Sequence, residues 1–200
     1  MADVRLVLAS ASPARLATLR AAGVQPEVVV SGVDEEAVAA ATPAALAQEL
    51  AGLKCRAVAD RLSPGGQTLV LGCDSVFELD GAPYGKPGDP QQARQRWRLM
   101  RGRSGVLHTG HAVIRLDTGA QVGATGSTVV HFADIDDEEI DAYVATGEPL
   151  AVAGAFTLDG RAGPFISGVE GDPHTVVGLS LPLLRLLVRE LGVRWTDLWY

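Results

Sequence analysis

Apolar positions recur along this chain in two periods, and the switches between them mark out its elements. Val4 to Leu8 is a short apolar run that reads as a buried strand. It is followed by Ser12-Pro13 and a stretch from Arg15 to Ala22 with apolar residues at helical spacing, closed by Gly23. Ser12 as N-cap with Pro13 at the first helical position is a strong helix start. Glu27 to Ser31 reads as a second strand, Gly32 to Glu36 as an acidic turn, and Thr42-Pro43 opens a helix to about Leu62. Thr68 to Leu71 is nearly continuous in apolar residues, as in a central strand. Ser75 to Leu79 and Ala82 to Tyr84 flank Asp80-Gly81, a hairpin signal.

Further on, Asp89-Pro90 caps a helix to about Met100. Two long extended runs, Val106 to Leu116 and Ala120 to Phe132, turn at Asp117-Thr118-Gly119. Asp136 to Ala145 is an acidic-fronted helix, Gly160 to Gly171 a glycine-rich stretch, and Pro182 to Leu191 the last helix. Strands and helices alternate at both ends with hairpins between, which predicts an α/β fold on a mixed sheet. No repeat or long linker divides the 200 residues, so one domain over residues 1–200 is expected.

Charge narrows the function. The chain carries 17 basic and 24 acidic residues, a formal charge of −7, which disfavours a nucleic-acid polymer or an anionic membrane surface as partner. No stretch approaches the ~20 apolar residues of a membrane span, and the start lacks the apolar length of a secretory signal, so a cytoplasmic protein is expected. Cys55 and Cys73 fall in a helix and a strand and read as small buried hydrophobes rather than a disulfide or zinc site. Of the 17 basic residues only Lys54 and Lys86 are lysine; the rest are arginine. Two retained lysines are suited to places that need a compact ammonium.

Candidate chemistry sits in a few segments. Ser10-Ala11-Ser12-Pro13-Ala14-Arg15 lies on a strand-to-helix turn, where free N–H groups, two hydroxyls and an arginine can cradle a phosphate; an ordinary cap with a surface arginine also fits. Gly72-Cys73-Asp74-Ser75 places a carboxylate at the expected C-terminal end of a strand, where it could hold Mg²⁺ or accept a proton, or simply satisfy a turn. Asp34-Glu35-Glu36 offers a second carboxylate to a metal or is an ordinary solvated turn, Gly85-Lys86-Pro87 holds a lysine in a tight loop, and Lys54 lies mid-helix where a surface lysine is the ordinary reading. Glu148 and Glu170 read equally as a second carboxylate at the site or as solvated surface residues. The four histidines show no metal-ligand spacing, and His108 and His111 fall on opposite faces of a strand.

Together these segments resemble the Maf family of nucleoside triphosphate pyrophosphatases over nearly the whole chain. The similarity runs through Leu8-Ala9-Ser10-Ala11-Ser12-Pro13-Ala14-Arg15, Asp34-Glu35, Lys54, Gly72 to Val76 and Gly85-Lys86-Pro87. It continues through Tyr143 with Thr146-Gly147-Glu148-Pro149, Ala153-Gly154-Ala155-Phe156 and Gly178-Leu179-Ser180-Leu181-Pro182. The resemblance implies a mixed twisted sheet flanked by helices, with two lobes around a central cleft. It further implies hydrolysis of a nucleoside triphosphate between the α and β phosphates with a divalent metal, Mg²⁺ or Mn²⁺, and a homodimer. Asp74 would be proton acceptor and, with Glu35, metal ligand. Ser10, Ser12, Arg15, Ser75, Lys54 and Lys86 would hold the substrate.

The chain departs from the family pattern at Ala14, Ser75, Gly105 and Asp159. Asp159 stands where the thymidine- and uridine-triphosphate branch carries glutamine. A carboxylate only accepts hydrogen bonds, and guanine offers two adjacent donors, so a guanine-type or broad base preference is expected. An Asp159 that only caps its turn, a nucleotide-sensing cell-division regulator with little turnover, and a nucleotidyltransferase-like enzyme are the alternatives. The last lacks its glycine-rich loop.

Overall fold

The computed structural model describes residues 4–35, 37–63 and 66–200; Glu36 of the acidic turn lies outside them. The elements are β1 (Val4–Leu8), α1 (Pro13–Ala21), β2 (Glu27–Val28), α2 (Pro43–Ala59), β3 (Gln67–Leu79) and β4 (Ala82–Tyr84). Then come α3 (Pro90–Met100), β5 (Ser104–Arg115), β6 (Gln121–Phe132), α4 (Asp137–Ala145), β7 (Ile166–Glu170), α5 (Pro173–Val177) and α6 (Leu181–Glu190). Local chemistry accounts for the helix starts. Ser12, Thr42, Asp89 and Ser180 each accept a hydrogen bond from a first-turn N–H, with proline at the first or second helical position.

The strands form one mixed sheet of order β2-β1-β3-β5-β6-β7, with β4 paired to β3. β1 is parallel to β2 and β3, and β3, β5, β6 and β7 run antiparallel in succession. One edge of β3 is occupied by β5 from Leu69 to Glu78. The other edge is shared: β1 pairs with Gln67–Leu71 and β4 with Phe77–Leu79. Between them, residues 72–76 are paired on one side only, which leaves a notch in the sheet.

That arrangement corrects the expected strand ends. Thr68–Leu71 and Ser75–Leu79 are one continuous strand, because Gly72, Cys73 and Asp74 pair with Ala112, His111 and Gly110 of β5. Asp74 is therefore in mid-strand, not at a C-terminal end. β2 is only two residues long, since β1 ends at Leu8 and offers nothing further to pair with. α2 stops at Ala59 rather than near Leu62. Hydrophobic periodicity did not mark β7, inside the glycine-rich stretch, or α5, just after it; β7 exists because its residues pair with Val129–Phe132 of β6.

Two apolar clusters lie on one face of β3, on either side of Ser75. One gathers Leu69, Leu71 and Cys73 with Leu8, Leu19, Leu184 and Val188; the other gathers Phe77 and Leu79 with Trp97, Phe132, Ile140 and Phe156. Phe77, Phe132 and Phe156 meet edge to face, with ring centroids 5.0 to 5.7 Å apart. These are the two lobes. Phe77 also explains one departure from the family pattern, for a Cβ at Gly105 would stand 2.3 Å from its ring. The opposite face of β3 is covered by α2, which packs Ala51, Cys55 and Val58 on Val7 and Val70.

Glycine sets how closely α2 lies. A Cβ at Gly72 would come within 2.3 Å of the Ala51 carbonyl oxygen, and one at Gly110 within 2.2 Å of that of Ala47. Only bare backbone at these two neighbouring sheet positions lets the helix settle, and that contact carries Lys54 over Asp74.

Candidate active site

Side chains of β3 alternate between faces, so Asp74 and Ser75 leave the notch in opposite directions. On the α2 face Asp74 Oδ1 accepts from Lys54 Nζ at 2.5 Å. The same ammonium meets Glu35 Oε1 at 2.6 Å. The Asp74 and Lys54 side chains are each 9% exposed, whereas Glu35 is 49% exposed, so the triad is closed on the sheet side and open on the loop side. Burial pushes the Asp74 carboxyl above its ordinary value; the Lys54 charge and hydrogen bond and the Arg15 charge pull it back, and Glu35 adds to the rise. A carboxylate so poised is a better proton acceptor near neutrality than an exposed aspartate.

On the other face Arg15 is buried and uses its whole fork. Nε donates to the Gly178 carbonyl at 2.8 Å, Nη1 to Ser10 Oγ at 3.0 Å and Nη2 to Ser75 Oγ at 3.1 Å. All three acceptors are neutral, and among the described residues Arg15 makes no ion pair with a carboxylate. A buried cation balanced by neutral oxygens leaves positive potential for an anion. Ser12 acts one step back: its hydroxyl caps α1 by accepting from Arg15 N, and its own N–H donates to Ser10 Oγ.

The chain enters the notch from both ends. Leu8 leaves β1 opposite Leu71 and leads to Ser10. Tyr84 leaves β4 opposite Phe77 and leads to Lys86. Lys86 itself is exposed, beside a buried Pro87. Asp159 is exposed on a separate loop, and no described residue bonds its carboxylate, so it does not cap its turn. That loop is gathered by Glu148, whose Oε1 accepts from Tyr143 Oη (3.1 Å), Thr157 Oγ1 (2.5 Å) and Arg161 N (2.9 Å). Glu148, partly buried, thus serves to hold that loop, and Glu170 meets His131 at 3.0 Å.

Three supporting residues escaped the sequence reading. Thr109 Oγ1 accepts from Ser75 Oγ at 2.9 Å and donates to the Thr175 carbonyl at 2.8 Å. His111 accepts the Ser180 N–H at 2.9 Å and donates to the Thr109 carbonyl, and burial holds its pKa down at about 4. Gly178 contributes a main-chain carbonyl. Gly178 fell within a segment of the family resemblance and His111 among the four histidines, but none had a site role legible in sequence, because each acts on a partner far away in the chain. His108, on the opposite face as expected, lies between Glu78 Oε2 and Ser127 Oγ. Cys55 and Cys73 are free and buried, with both thiols pushed up to about 12.

A mixed sheet with a buried acid–lysine pair on one side of a notch and a guanidinium bonded only to neutral oxygens on the other defines an α/β protein whose site has the chemistry to bind an anion and accept a proton. Comparison with known proteins gives the family. Residues 5–191 match the Maf-like protein family model. A nucleoside triphosphate pyrophosphatase of Salinispora tropica is 59% identical over 98% of this chain and 88% of its own length. One of Streptomyces coelicolor is 60% identical over 98% of this chain and 94% of its own. The chain belongs to the Maf-like family, and it is an enzyme of the hydrolase class.

Proposed function

We propose that this enzyme hydrolyses nucleoside triphosphates between the α and β phosphates, releasing the nucleoside monophosphate and pyrophosphate. The single observation that carries this reading is the two-sided notch, with Asp74 and Lys54 on one face of β3 and Arg15, Ser10 and Ser75 on the other. The names of the relatives support the same activity.

In this reading the triphosphate lies along the unpaired edge of residues 72–76. Arg15, Lys54 and Lys86 face its oxygens, and Ser10 and Ser75 orient it. Lys54 donates to Asp74 and lies within ion-pair reach of Glu35, and with three N–H donors it keeps capacity for a phosphate oxygen. Asp74 takes the proton of the attacking water as its oxygen bonds to phosphorus; the α–β bridging bond breaks and pyrophosphate leaves. Glu35 and Asp74 would hold a divalent cation, Mg²⁺ or Mn²⁺. Two carboxylates converging on one ammonium fit a hard cation that completes its shell with phosphate and water, and when bound it supplies charge neutralisation to the phosphates.

Asp159, unbonded and exposed, is assigned to base reading, with a guanine-type or broad preference. A clearing role for non-standard or modified nucleotides, one domain over the chain, a homodimer and a cytoplasmic location complete the proposal; no described helix is long and apolar enough to cross a membrane.

The test is pyrophosphate release with Mg²⁺ or Mn²⁺ across the common triphosphates, 7-methyl-GTP and 5-methyl-UTP, with Asp74→Asn and Asp159→Gln alongside. Activity in the native chain and its loss in Asp74→Asn support the reading. Tight nucleotide binding without turnover points to a sensor instead. An unchanged GTP-to-UTP ratio of kcat/KM in Asp159→Gln removes that residue from base selection.

A further inference from the structure

Three arginines stand at alternate positions on α3, and they do not behave alike. Arg94 and Arg98 reach α4, where they pair with Asp141 at 2.6 Å and Asp137 at 3.0 Å. Arg96 is half-buried and makes no ion pair with a carboxylate among the described residues. Its guanidinium carbon lies 5.0 Å from the centre of the Tyr84 ring, at the end of β4. Nη1 donates to the Gly85 carbonyl at 2.5 Å, one residue before Lys86. That carbonyl also accepts from Gly154 N at 3.2 Å. The next residue on α3, Trp97, donates from Nε1 to the Ala155 carbonyl at 2.8 Å.

We propose that Arg96 is a positioning residue that fixes the Gly85-Lys86-Pro87 loop against the Ala153–Ala155 turn and so sets where the Lys86 ammonium meets substrate. The proposal rests on Lys86 serving the phosphate site. Lys86 is exposed and its side chain bonds to no described residue, so its aim depends on the main chain beneath it. Arg96 supplies that aim by a charge-assisted bond to the adjoining carbonyl and by its seat on Tyr84. Its burial disfavours the charged form. A lysine can offer the carbonyl one donor but neither the planar fork nor the flat face over the ring. Gly154 N donates to the same carbonyl, so one oxygen joins the lysine loop to both Arg96 and the Ala153–Ala155 turn.

The test is a double-mutant cycle on the full chain: R96M, K86M, R96M/K86M and R96K, read as kcat and KM for pyrophosphate release with Mg²⁺ and as Tm. R96M is expected to lower kcat/KM roughly tenfold, the worth of one charge-assisted hydrogen bond, with R96K between it and the native enzyme. In the K86M background R96M is expected to change nothing further, since the group it aims is gone. Effects that multiply in the double variant overturn the proposal, as does a native-like R96M. K86M with native activity beside an inactive Asp74→Asn also overturns it, by removing Lys86 from the site while the hydrolase reading stands. Activity persisting in Asp74→Asn instead strikes at that reading. Should R96M fail to fold, R96K carries the same cycle.

Discussion

Lys54 Nζ stands 2.5 Å from Asp74 Oδ1 although the two residues belong to a helix and a strand packed face to face, and this pair governs how the site responds to pH. Burial raises the Asp74 pKa above 3.8, and Lys54 is the largest influence drawing it back. In the proposed reaction Asp74 must be ionised to accept the proton, so activity is expected to fall as pH drops through its folded pKa. The acid limb of kcat/KM should therefore lie above the ordinary carboxylate range, and Lys54→Met should move it higher still. A limb that stays in place in Lys54→Met would dissociate the lysine from this control.

The same shift has a consequence for stability. The unfolded Asp74 releases its proton at lower pH than the folded one, so between the two values the folded state holds more protons. Its contribution to stability thus falls as pH rises through that window. Asp74→Asn should flatten this decline across the weakly acidic range, measured by denaturant unfolding at several pH values, while cutting pyrophosphate release roughly 100-fold or more.

Arg15 should be irreplaceable by lysine. Its three bonds to Gly178, Ser10 and Ser75 need a planar fork, and an ammonium on a shorter stem cannot span them. Arg15→Lys and Arg15→Met are both expected to raise KM for the triphosphate by roughly 10-fold or more, since each loses charge-assisted hydrogen bonds or the charge itself. Rescue of KM by lysine would show that charge alone matters there.

Gly72→Ala places a methyl where the Ala51 carbonyl now sits, 2.3 Å away. α2 must then lift, at a cost of about 1–3 kcal/mol from overpacking, and Lys54 moves off Asp74. Both Tm and kcat are expected to fall, and a fully active Gly72→Ala would mean that the helix has room.

Thiol reagents should leave the native protein untouched. Cys55 and Cys73 are buried, and the Cys55 thiol donates to the Val70 carbonyl at 3.0 Å. Both are expected to react only on unfolding, counted by mass spectrometry in native and denatured samples.

What the sequence determined by itself was local. Proline after a capping residue set the starts of α1, α2 and α3, because a fixed φ and a side-chain acceptor satisfy the first turn with no help from afar. Asp80-Gly81 set the β3–β4 hairpin in the same way, with φ of 53° and 78° at the two residues. Ser10, Arg15, Glu35, Lys54, Asp74 and Ser75 were marked by their short segments taken together with the resemblance to the Maf family, and the fold gathers all six around one notch. The tertiary structure decided the rest. The β3 edge is open only because β1 ends at Leu8 and β4 begins pairing at Phe77, a relation between three strands that no local pattern records. Strand alternation then sent Asp74 and Ser75 to opposite faces, where α2 and α1 could each bring a cation. Thr109, His111, Gly178 and Arg96 were illegible for the same reason: their partners lie 11 to 163 residues away, and a hydrogen bond across that separation exists only once the sheet has formed.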